Sequence, residues 1–162
     1  MKKIGKTNAM RLLDQHQVEY TVIEYPHREK EAVDGVQVAS LLKEDVNTVY
    51  KTLVTRANTK EILVFMIPVD KELDLKKCAR AAGVKSVSMI HVKEINALTG
   101  YIRGGCSPLG MKKSYRTFIE EDCLSQHHIF FSAGKIGLQI RMDPNVLISH
   151  FLIQPSSLIK DH

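Results

Sequence analysis

The spacing of apolar positions changes repeatedly along the chain, and each change marks an element. Ala9, Leu12, Leu13 and His16 follow a near-helical spacing behind Thr7-Asn8, a pair suited to capping a helix start. Tyr20 to Tyr25 is rich in β-formers and stops at Pro26. Gly35 to Lys43 predicts a second helix, with Val38, Leu41 and Leu42 on one side. Val49 to Thr55 alternates as a strand does. The polar turn Arg56 to Lys60 leads from it into Ile62 to Val69. That second run is apolar throughout, which predicts a central strand covered on both faces and a hairpin with its predecessor. Leu75 to Ala82 reads as a short helix closed by Gly83.

Beyond it, Val87 to His91 reads as a short strand and Val92 to Thr99 as a short helix. Tyr115 to Ile119, Ile129 to Ser132 and Gly137 to Met142 read as strands. Asp143-Pro144 opens a last helix, because proline in the first turn removes no helical hydrogen bond. Strands and helices mix without a steady βαβ rhythm. The expectation is therefore an α+β fold in one compact domain, residues 1–162. Its mixed, mainly antiparallel sheet should curl towards a barrel, with short helices around it.

Composition adds limits. The 162 residues suffice for a substantial core, and 44% hydrophobic with 25% charged residues is ordinary for a globular chain. A net charge of +5 is compatible with a polyanionic partner. Three cysteines without a CxxC pair fit a reducing compartment. No apolar run has the length of a signal-peptide core or a membrane span, so a soluble, cytoplasmic protein is expected. Seven histidines without a spaced Cys/His/carboxylate cluster give no reason to expect a metal. The adjacent pair His127-His128 would face opposite sides of a strand.

The most unusual stretch is GYIRGGCSPLGMKK, residues 100–113. It is not a phosphate-binding P-loop, because Met111 separates Gly110 from Lys112 and Pro108 lacks an amide. Gly104-Gly105 would let backbone approach a ligand and offer two amides to a developing oxyanion; a tight turn needing positive φ is the competing explanation. Ser107-Pro108-Leu109-Gly110 makes a stiff turn. Cys106 is either a nucleophile beside Arg103 or a small packing residue. Lys51 stands in an otherwise apolar strand and is either solvated or a pocket cation. Lys76, Lys77 and Arg80, with Lys112, Lys113 and Arg116, would form a basic rim if the two sets converge.

Several segments taken in order carry a resemblance: Val49-Tyr50-Lys51-Thr52-Leu53, Ile67-Pro68-Val69, Glu72 to Lys77, Gly100-Tyr101 with Gly104-Gly105, Ser107 to Gly110 with Lys112-Lys113, and Ser132-Ala133-Gly134-Lys135 with Gly137-Leu138. Together they resemble the YbaK/EbsC family of Cys-tRNA(Pro) deacylases, related to the editing domain of bacterial prolyl-tRNA synthetases. The resemblance implies trans-editing of mischarged tRNA, without a cofactor and with no metal. Prolyl-tRNA synthetase is the implied protein partner. It places the family lysine on Lys51, the backbone-donating glycine on Gly104 and the pocket tyrosine on Tyr25. Thr52, Gly105, Ser107 and Gln139 are the further substrate-binding candidates, and Lys76, Lys77, Lys112 and Lys113 the tRNA-binding ones. Well-studied relatives carry an aspartate where this chain has Gln139, so either Asp143 or another carboxylate offsets Lys51, or the pocket is tuned differently. The implied mechanism has the substrate's own thiol attack its ester carbonyl. Clearing of alanine or another small amino acid is the neighbouring reading, and a non-catalytic module binding tRNA ends or nucleotides a more distant one.

Overall fold

A computed structural model describes residues 5–28 and 31–161. The cationic start of the chain, residues 1–4, lies outside the described residues. Helix α1 (Asn8–Gln15) begins where Thr7 Oγ1 accepts the Met10 amide at 3.2 Å, and the same hydroxyl donates to the Ala133 carbonyl at 2.5 Å. Its inward face is Ala9, Met10 and Leu13, while His16 is the exposed C-cap. Strand β1 (Thr21–Glu24) and helix α2 (Gly35–Leu42) follow.

Strands β2 (Tyr50–Ala57) and β3 (Ile62–Pro68) form the expected hairpin, with every residue from Leu63 to Val69 buried. Lys60, at the turn, takes φ 75°. Helix α3 (Leu75–Ala82) is capped by Asp74, which accepts the Lys76 and Lys77 amides, and ends at Gly83 with φ 70°. Strand β4 (Val87–Met89) and helix α4 (Ile95–Thr99) precede the glycine loop. After it come β5 (Arg116–Glu120), β6 (Ile129–Ser132) and β7 (Leu138–Met142). Helix α5 (Pro144–Phe151), with Pro144 in its first turn, leads to β8 (Gln154–Ser156). Strand β8 was not expected from the sequence, since it is short and contains Pro155. Both features suit its position at the sheet edge.

The α+β class holds, and four of the six strand pairings are antiparallel. The sheet differs from the expectation. Among the described residues the strands form two sheets, ordered β4-β2-β3-β5-β8 and β1-β7-β6, instead of one sheet curling into a barrel. The sheets touch through a single bridge between Val49 and Phe130. The edges of β2 are shared out: β3 runs along one, and β4 takes Thr55–Ala57 of the other, so β6 meets β2 only at the Val49 end.

One core lies between the sheets, where Tyr50, Met66 and Ile119 meet Ile129, Phe131 and Ile140 under α1 and α5. A second lies under α3, where Phe65 and Phe118 stack at 5.3 Å. A third fills the junction, with Val38 and Ala39 of α2 over Val49 and Phe130. No helix among the described residues is long and apolar enough to cross a membrane.

The C-terminal segment depends on one buried acid. Glu120, 2% exposed, accepts the Leu158 amide at 2.9 Å and the Asp122 amide at 3.1 Å. Glu120→Ala leaves both amides unpaired and should lower unfolding free energy by about 3 kcal/mol in urea titration. Glu120→Gln keeps one acceptor and should cost less.

Candidate active site

Where the two sheets part, a cavity of about 330 Å³ opens beneath α2. Lys51 and Thr52 reach it from β2, Gln139 from β7, and Tyr25 from the end of β1. The glycine loop closes one side with Arg103, Gly104 and Cys106. Apolar residues fill out the wall, including Val38 of α2 and Met89 of β4, and Met89 remains 48% exposed at the edge.

The loop's sequence is explained by what holds it there. Gly100, at φ 83°, ends α4, and the Tyr101 amide turns back to Thr99 Oγ1. Tyr101 then spans the loop, its hydroxyl donating to the Leu109 carbonyl at 2.7 Å. Gly134 gives the ring its space: a Cβ there would lie 2.8 Å from Tyr101 Cε1. Gly104 takes φ 84° against Ala32, where an added Cβ would lie 2.7 Å from the alanine methyl. The loop is thus both a tight turn and a cavity wall.

Its amides do not act as an adjacent pair. The Gly105 amide donates to the Ile102 carbonyl at 2.9 Å, and its α-carbon packs against Lys135 and Ile136 behind the cavity. Among the described residues, neither the Gly104 nor the Cys106 amide donates to a backbone carbonyl. The available donors therefore flank Gly105.

Charge in the cavity has one sign. Lys51 and Arg103 line it, and among the described lining residues there is no carboxylate and no histidine. Asp143 does not offset Lys51: it caps α5 by accepting the Asn145 amide and borders a separate groove with Arg141. Burial pushes the Cys106 thiol up to about 11, against a hydrogen bond with Thr99 that lowers it. Burial also raises Tyr25 and Tyr50. Four buried side-chain polar atoms lack a partner among the described residues; two of them, Thr52 Oγ1 and Gln139 Oε1, belong to cavity residues, while Tyr50 Oη lies in the core on the side of Glu120, Asp122 and Cys123. Such atoms are costly unless something else satisfies them, and their concentration here marks the place where a ligand would do so.

A family profile described as the aminoacyl-tRNA editing domain matches residues 29–149. The chain belongs to this family. A relative in Enterococcus faecalis, named "Putative Cys-tRNA(Pro)/Cys-tRNA(Cys) deacylase EbsC", is 45% identical over 144 residues, covering 89% of this chain and 87% of that one. Two solved structures share the fold. One is the hypothetical protein APE2540, with TM-score 0.85, 18% identity and coverage of 95% of this chain and 100% of that one. The other is described as "a putative trans-editing enzyme for prolyl tRNA synthetase", with TM-score 0.81, 22% identity and coverage of 98% and 100%.

In this editing domain, Tyr25, Lys51, Thr52, Gly104 and Gln139 line one cavity. Other candidates lie elsewhere. Ser107 is fully buried and its hydroxyl accepts the Leu109 amide, so it supports the turn. Lys77 is tied to the Ile159 carbonyl and Asp161, with Lys76 exposed beside it on α3. Lys112 packs over Gly100 and reaches the Ala97 carbonyl, and Lys113 is exposed. None of these four lysines lines the cavity; the loop cation that does is Arg103, which its position next to Gly104 could have suggested.

The raised Cys106 pKa has a direct consequence. The thiolate fraction is small at pH 8 and grows about tenfold per pH unit up to about 11. Iodoacetamide labelling followed by peptide mass spectrometry should show that steep rise, with Cys106 slower at pH 8 than free cysteine. Fast labelling at neutral pH would contradict the assigned environment.

Proposed function

We propose that this editing domain clears cysteine from mischarged tRNA(Pro), acting as a separate protein, with the substrate's thiol as nucleophile. The observation that carries the reading is the absence of a carboxylate or histidine among the described residues lining the cavity. An attacking water would need such a base. A cysteinyl ester brings its own nucleophile, so the protein need only hold it in a reactive pose. The 45% identical relative carries a name of the same specificity.

In the proposed step the cysteinyl sulfur attacks the ester carbonyl carbon as its proton passes to solvent water. A C–S bond forms, giving a tetrahedral oxyanion. The C–O bond to the ribose then breaks, and the leaving ribose oxygen takes up a proton. The product is a four-membered thiolactone, which water opens to free cysteine. The Gly104 amide, with that of Cys106, would donate to the oxyanion. Lys51 would hold the ester or the terminal ribose, and Arg103 the last phosphate. Tyr25 and Thr52 would bound the aminoacyl group. The exposed Lys76, Lys112 and Lys113 are assigned to the tRNA backbone. Prolyl-tRNA synthetase is the proposed protein partner and the cytoplasm the proposed compartment.

A panel of mischarged tRNAs tests the reading. Cys-tRNA(Pro) should be cleared, while S-methylcysteinyl-tRNA and Ala-tRNA(Pro) should be at least about 100-fold slower, since neither offers a free thiol. Faster clearing of Ala-tRNA than of Cys-tRNA would refute thiol assistance. Lys51→Ala should lower single-turnover rates by about 100-fold, the usual scale for losing one electrostatic contact to a transition state, and Gly104→Ala, which keeps its amide but puts a Cβ 2.7 Å from the Ala32 methyl, should lower them by shifting that donor. The far-ultraviolet dichroism of both variants should stay native.

A further inference from the structure

We propose that Gln139 receives the substrate's α-amino group and that the cavity selects this group as the uncharged amine. The assignment rests on the aminoacyl-tRNA reading above and deepens it.

Gln139 is 6% exposed and lines the cavity, and its Oε1 is buried without a hydrogen-bond partner among the described residues. Its place is fixed by the sheet, because in β7 it lies between Ile23 of β1 and Ser132 of β6. The neighbouring Ser132 hydroxyl accepts the Gly134 amide and makes no bond to Oε1. An amide oxygen in this position needs a donor, and an aminoacyl ester has one beside its carbonyl.

The charge on that donor follows from the lining. Among the described residues, the ionisable groups that face the cavity are Lys51 from β2, Tyr25 after β1, and Arg103 and Cys106 from the loop; Tyr50 also lines it, with its hydroxyl turned towards Glu120, Asp122 and Cys123. The parts of α2, β4 and β6 that line it contribute none. Two of these groups are cations and none is a carboxylate. An α-ammonium would thus enter a cationic cavity with a neutral acceptor and no counter-charge, whereas a free amine can donate to Oε1 without repulsion. Lys51 and Arg103 would then keep their charge for the ester and phosphate oxygens.

The test uses two uncleavable ligands with no thiol, so that thiol ionisation cannot contribute. One is adenosine carrying a 3′-amide-linked seryl group; the other is the same compound without its α-amine. Wild type should bind the seryl compound about tenfold more tightly at pH 8.5 than at pH 6.5, since an α-amine titrates near 7.7–8.0. Binding of the compound without the amine should not change with pH. Gln139→Ala should weaken binding of the seryl compound alone. Gln139→Glu, which supplies a counter-charge, should reverse the trend and favour pH 6.5, its fold being checked by unchanged affinity for the compound without the amine at pH 8.5. If both ligands bind wild type with equal, pH-independent affinity, or if Gln139→Ala weakens both equally, the Gln139 assignment is wrong and the aminoacyl-tRNA reading stands. If neither ligand binds, that reading falls and takes this assignment with it.

Discussion

The structure turns on the backbone of Val49, whose amide and carbonyl are both committed to neighbours in its own half of the protein. Only one bridge, to Phe130, crosses to the other sheet. On the other edge of β2, β4 takes Thr55–Ala57, so β6 meets that strand only at Val49. Beyond that point the sheets diverge, and the wedge between them becomes the cavity. Lys51 and Thr52 follow directly in the chain, so the residues next to the split inherit positions on its wall. The parting of the sheets and the site thus share one stretch of β2.

A wedge between sheets would fill with side chains unless something bare closed it. The glycine loop does so with backbone. Tyr101 fixes the loop's width through its bond to Leu109, and Gly134 leaves room for the ring. The close contact of Gly104 with Ala32 brings the loop against the segment before α2. The contacts with Gly134 and Ala32 join regions far apart in sequence, so tertiary structure and the loop's own turns set its shape together. Its amides are sorted by the same constraint, with Gly105 occupied by the turn and those on either side left available.

Legibility from sequence followed the range of the interaction. Helix α3 was readable to the residue because its determinants, the Asp74 cap and the Gly83 stop, are local. Strand β3 was readable because a continuous apolar run needs burial on both faces, and it has it. Helix α5 was likewise marked by Asp143 and Pro144. The division into two sheets was not readable, since it depends on which distant strands take the edges of β2. Strand β8 was hidden because its pairing is supplied by β5. For the site, the glycines and Lys51 stood out by composition. The separate location of the four lysines, and the engagement of Asp143 with its own helix, are facts of three-dimensional placement that residue type does not encode.

Cys106 gives the cavity a chemical safeguard. Thioesters and strained thiolactones acylate thiols readily once these ionise. A reactive sulfhydryl on the wall would capture the product of the proposed reaction and poison the protein one turnover at a time. The thiol there is shielded enough to keep its proton at physiological pH. On the proposed mechanism the wall would therefore be acylated slowly, because few Cys106 thiols are ionised at that pH.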